Sequence, residues 1–181
     1  MLCGIAFAVA LAVAAGFILV RSDLAWGVGK PVAQPVPFSH AVHAGELGMD
    51  CRYCHDAVET EAVAGIPPVG TCMGCHSRVW TAAPAQAPLH ASLAAGEPLA
   101  WNRVHRLPGH VRFHHGIHVA RGVECATCHG LVETMAQTRK VESMSMSWGL
   151  DCHRAPEPYL DTRPQERSRT ARLDDCSLCH Y

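Results

Sequence analysis

The longest apolar run of the chain lies at its start. Leu2 to Val20 carries no charged and no strongly polar side chain. As a helix this run spans roughly 28 Å, about the hydrocarbon thickness of a bilayer. Arg21 and Asp23 close it, and Trp26 follows at a depth suited to a membrane interface. A cleaved signal peptide is the competing reading. It would have a shorter apolar region, a basic residue ahead of it and a small-x-small cleavage site behind it. Met1 to Gly4 holds no Lys or Arg, and Phe17 to Val20 is a poor cleavage site. A retained anchor over 1–21 is therefore expected. Pro31, Pro35 and Pro37, with Gly27 and Gly29, then disfavour helix and central strand and mark 22–37 as a linker. Across 38–181 apolar periodicity is weak, and Pro and Gly recur. The pattern predicts short helices at about 77–82, 89–95, 134–147 and 165–174 in an otherwise irregular domain. Such a domain needs internal staples, because side-chain burial alone cannot hold it.

Composition narrows the chemistry. In 181 residues, 15 Lys and Arg face 16 Asp and Glu, and the net charge of −1 excludes a basic nucleic-acid footprint. With 17% charged and 49% apolar residues the chain is not a disordered polyelectrolyte. The unusual counts are 10 Cys and 13 His. So many Cys imply disulfides, metal or a covalently attached cofactor, and disulfides alone leave the His unexplained.

Placement decides between these. Cys51-Arg52-Tyr53-Cys54-His55, Cys72-Met73-Gly74-Cys75-His76, Cys125-Ala126-Thr127-Cys128-His129 and Cys176-Ser177-Leu178-Cys179-His180 all read C-x-x-C-H. This is the attachment motif of c-type haem. Two Cys three apart on a helical turn reach the two vinyl groups of one porphyrin, and the adjacent His projects at the iron. Zinc ribbons also use C-x-x-C but do not require a His after every second Cys. A further site is partial: Gly149-Leu150-Asp151-Cys152-His153 keeps the second Cys and the His. Cys3 lies in the apolar run, where it reads as a small buried residue. Cys152 is then the one Cys left over, and a lone thiol in an oxidising compartment is a liability. A haem held there by a single thioether is the preferred reading, against a stray Cys and His.

The soluble part repeats. Phe38-Ser39-His40-Ala41-Val42-His43 precedes Cys51 as Phe113-His114-His115-Gly116-Ile117-His118 precedes Cys125. Each half continues to a second Cys-His site, at His76 and at His153, and the motif ending at His180 stands last. The F-x-H-x-x-H segments can supply sixth ligands, and bis-histidine iron suits electron transfer. His40, His43, His115 and His118 are thus expected as distal ligands. The fifth is sought among His90, His105, His110 and His114. His105, between Trp101 and Pro108 in the segment joining the halves, is preferred. Met144 and Met146 are the alternative sixth ligands near the partial site. The 13 Arg offer bidentate partners for haem propionates.

Taken with their non-ligand residues, FSHAVHAGELGMDCRYCH, GIPPVGTCMGCHSRVW, WNRVHRLPGHVRFHHGIHVARGVECATCHG, VESMSMSWGLDCHRAPEPYL and DCSLCH resemble, in order, the pentahaem cytochrome c subunit (ActA) of bacterial alternative complex III. The resemblance covers nearly all of 38–181. It implies a mostly irregular domain with short α-helices, haem packing like that of class III cytochromes, and one N-terminal transmembrane helix. It implies five c-type haems; on the residues present, four are held by two thioethers and one by Cys152 alone. It places distal ligands at His40, His43, His105, His115 and His118. The departure is Gly149, where the family has the first Cys of a full motif. The family's subunit carries electrons and turns over no substrate itself. Its partners are the other subunits of a membrane quinol oxidoreductase, an iron–sulfur subunit among them, with a soluble cytochrome or an oxidase downstream. The expected location is the cytoplasmic membrane, single-pass, with the C-terminal haem domain periplasmic. The rival readings are a multihaem partner of another molybdopterin-like or quinone-reducing complex, and a multihaem reductase with an open iron position.

Overall fold

The computed structural model describes residues 2–159 and 173–180. The apolar run forms one helix, α1 (Leu2–Arg21), long and apolar enough to cross a membrane, with none of that span buried against the rest of the protein. The Arg21 guanidinium lies 3.7 Å from the centre of the Phe17 ring at its end. A single turn, α2 (Asp23–Trp26), follows and ends at Gly27, whose φ of +67° suits glycine. The Trp26 indole N–H donates back to the Val20 carbonyl.

The segment read as a linker is docked. Gly29 N–H donates to the Lys140 carbonyl and Val32 N–H to the Thr138 carbonyl, with Pro31 bridged to Arg139 between them. The Gln34 side-chain amide donates to the Asn102 carbonyl and accepts from the Asn102 backbone N–H, and the Asn102 side-chain amide donates to the Ala33 carbonyl. Lys140 Nζ donates to the Trp26 carbonyl. The prolines do exclude regular structure here, as their sequence predicts. The backbone groups they leave are met by the second half of the chain.

The rest is short helices joined by turns. A wide π-turn at Ala41–Glu46 is followed by α3 (Cys51–Cys54), α4 (Val69–His76), α5 (Ala87–Ala95), α6 (His115–Ala120), α7 (Cys125–His129), α8 (Met146–Arg154) and α9 (Cys176–Cys179). Among the described residues there is no extended strand, only isolated bridges. The helix expected at 89–95 lies inside α5. That at 77–82 is a series of turns, in which Trp80 takes φ +56°. Most of 134–147 is irregular, because 138–140 pairs with the docked linker and Ser145 caps α8 through the Trp148 N–H. The helix expected at 165–174 falls largely outside the described residues.

The apolar core is small. Val36, Met73 and Leu89 are buried together, flanked by Val69, Cys72, Leu99 and Trp101. Met135 is the other buried apolar side chain among the described residues. The two halves dock crosswise. The 41–46 turn of the first half packs on Val132–Thr134 of the second, and α6 of the second half packs on Asp56–Glu59 of the first.

Candidate haem centres

Each C-x-x-C-H motif folds as a helical turn, which is what its spacing requires. Asp50 caps α3 through the Arg52 N–H, and Asp175 caps α9 through the Ser177 N–H. The partial motif folds the same way, with Cys152 and His153 on α8. All ten cysteines are free of disulfides.

The imidazoles are held as metal ligands are held. Nδ1–H of His43 donates to the Ser39 carbonyl, that of His55 to Gly65, His115 to Ala62, His118 to His114 and His153 to Leu173, each at 2.8 Å. His76 Nδ1 lies 3.4 Å from the Val79 carbonyl and 2.5 Å from the Gln86 amide nitrogen. His40 Nδ1 meets Thr138 Oγ1 at 2.9 Å. Where a carbonyl fixes Nδ1–H, as at His43, His55, His115, His118 and His153, the lone pair of Nε2 is free for iron and its basicity rises.

The rings also face one another at the right separation. Metal–imidazole bonds of about 2.0–2.1 Å put the centres of two opposed rings roughly 6 to 6.5 Å apart. His43 and His76 stand 6.1 Å apart, His115 and His129 6.3 Å, and His118 and His153 6.2 Å. Phe38 stacks on His43 at 4.4 Å, and Phe113 on His118 at 4.6 Å. The Phe of F-x-H-x-x-H therefore orients the second His in both halves. His105 is placed differently: its ring meets His129 edge-on at 4.5 Å, and its Nε2 is buried without a partner. His110 faces His180 at 5.6 Å. His90 Nε2 and His114 Nδ1 are buried without partners. Met146 is largely exposed at the start of α8.

Burial favours the neutral forms of the imidazoles and thiols at these sites. Burial, then the neighbouring His105, pushes His129 down to about 4. Burial also lowers His40 and His118, so these rings are neutral and able to ligate. Burial, then the Cys152 thiol, pushes Cys128 up to about 11. Burial raises Cys72 and Cys152 as well. Among the described residues no three of His, Cys, Asp and Glu converge as a zinc ligand set would.

The same electrostatics show which motifs are neighbours. After burial, the largest influence on Cys51 is Cys125, and on Cys54 it is Cys72. Together with the Cys128–Cys152 pair, this lines up the sites of His76, His55, His129 and His153 in that order. A cleft of about 280 Å³ lies between the first and third motifs, lined by Arg52, Val119, Gly122, Val123, Glu124 and Cys125. Arg52 is held there by Glu59 at 2.7 Å and Asp50 at 3.6 Å.

Residues 111–181 match the family of cytochrome c7 and related cytochromes c. Over 148 residues the chain is 30% identical to the menaquinone reductase multiheme cytochrome c subunit of Nitratidesulfovibrio vulgaris, covering 81% of this chain and 67% of that protein. The chain belongs to the multihaem cytochromes c. Its cofactor is c-type haem, and the opposed imidazoles and paired Cys fit that group. Sequence reasoning reached the motifs and the F-x-H-x-x-H segments of this cytochrome. It missed the approach of His110 to His180 and the supporting roles of Thr138 and Gln86, which bear no local signature.

Proposed function

We propose that this multihaem cytochrome c carries five haems and acts as an electron wire in a membrane quinol oxidoreductase of the alternative complex III type. The observations that carry the reading are the opposed His rings, with Nδ1 of His43, His115, His118 and His153 fixed by carbonyls. Cys51 and Cys54, Cys72 and Cys75, Cys125 and Cys128, and Cys176 and Cys179 would each hold one haem by two thioethers. Cys152 would hold one by a single thioether. His55, His76, His129, His153 and His180 are the proximal ligands, and His40, His43, His115 and His118 are distal ligands. Bound haem iron supplies a one-electron couple. The chain fixes the spacing of these groups, orients their ligands and sets the local dielectric. Residues 1–21 serve as a single-pass anchor, 22–37 connect, and 38–181 form the haem domain on the periplasmic side. An iron–sulfur subunit and a soluble cytochrome or oxidase are its partners.

The similarity to a menaquinone reductase subunit favours a second reading, in which the same wire delivers electrons toward quinone. Identifying the subunits that co-purify with the full chain distinguishes the two. Intact mass of the purified chain tests both, with five added haem masses expected. Four added masses would overturn the five-haem reading.

A further inference from the structure

We propose that His110, and not His105, is the distal axial ligand of the haem attached through Cys176 and Cys179. The inference rests on the five-haem reading above and completes its ligand set.

The backbone around His110 is built onto the last motif. Val111 N–H closes a turn on the Pro108 carbonyl at 3.0 Å. Val111 then forms an antiparallel bridge with His180, and Arg112 N–H donates to the Cys179 carbonyl at 2.7 Å. These bonds bring the centres of the His110 and His180 rings to 5.6 Å, with 19° between their planes. The separation is a few tenths of an ångström below that of the other opposed pairs. An outward shift of that size is within the freedom of two side chains on a short bridge.

His105 stands against a different proximal ring, His129, and not in an opposed arrangement. Its ring meets His129 at 4.5 Å and 89°. Two metal–nitrogen bonds alone occupy about 4 Å along the axis, which leaves no room for the rings themselves. His129 already has an opposed partner in His115, at 6.3 Å and 10°. His43 faces His76 and His118 faces His153, so His180 is the proximal ring that His110 completes. His40, which interacts electrostatically with His55, remains for the first motif. The last haem is thereby ligated by the segment that joins the two halves of the repeat.

The test compares His110→Ala and His105→Ala in the full chain, purified with its complex. Intact mass counts haems, and low-temperature electron paramagnetic resonance reports spin state. His110→Ala should retain every haem, because Cys176 and Cys179 still hold the last one, and should convert one low-spin centre to high spin. His105→Ala should leave the low-spin set unchanged. An unaltered low-spin set in His110→Ala overturns the proposal, and so does a high-spin centre in His105→Ala. If His110→Ala does not mature, His110→Met is the second variant. It offers sulfur in the same place and should raise one midpoint potential; unchanged potentials overturn the proposal. A wild-type mass short of five haems would instead remove the five-haem reading, whatever these variants show.

Discussion

Gly116 lies against the backbone of Glu59: a Cβ at this position would stand 2.6 Å from the Glu59 carbonyl oxygen and 3.0 Å from its carbon. Gly45 meets the backbone of Glu133 in the same manner on the other side. These contacts are where each half of the repeat docks onto the other. They also seat the ligands, since His115 N–H and Nδ1–H both donate to the nearby Ala62 carbonyl.

Gly116→Ala should therefore destabilise the haem domain by about 1–3 kcal/mol, the cost of forcing extra volume against backbone. The gain in helix propensity, about 1 kcal/mol, works in the opposite direction and is too small to offset a rigid clash. Thermal unfolding of the holoprotein measures the loss, and an unchanged midpoint would show that α6 can move aside freely.

Thr138→Val removes the oxygen that meets His40 Nδ1 at 2.9 Å. A ligand whose Nδ1–H loses its acceptor becomes less basic and favours ferric iron less. One haem potential should rise, by about 59 mV for each tenfold loss in relative ferric binding. Potentiometric titration followed by visible absorbance reads the shift. A fall, or no change in any haem, would remove Thr138 from this role.

Cys152→Ser separates attachment from ligation at the partial motif. The denatured chain should lose the mass of one haem, because no thioether remains there. The folded protein should keep its low-spin signal at least in part, since His118 and His153 still face each other at 6.2 Å. An unchanged denatured mass would mean that Cys152 carries no haem.

Replacing residues 1–21 with a cleavable export signal should release the cytochrome from membranes with its haem count intact. None of α1 is buried against the haem domain, and the docking of 29–34 lies beyond the cut. Fractionation with a haem stain checks both points. Retention in the membrane fraction would show that partner subunits, rather than α1, hold it there.

Much of this protein is legible in its sequence because its chemistry is local. The C-x-x-C-H spacing is a property of one helical turn, and α3, α4, α7 and α9 each supply that turn. The repeat gives Cys152 and His153 a place although Gly149 stands where a first Cys would be. The apolar run forms α1 because nothing but length and hydropathy is needed. Helices at 77–82 and across 134–147 were misjudged for a corresponding reason. Their residues tolerate helix locally, but 138–140 is committed to pairing with the linker far away in sequence.

Pairings across the chain were decided only by the tertiary structure. Sequence alone determined that this is a multihaem cytochrome c chain with an apolar N-terminal helix, because covalent attachment and membrane length are written in contiguous residues. It could not say which imidazole opposes which, because that depends on how separate short helices dock. The crosswise packing at Gly45 and Gly116 set His115 before His129. The bridge between Val111 and His180 brought His110, rather than His105, to the last motif. Spacing along a chain fixes what one turn can bind, and only the contacts between turns fix what faces it.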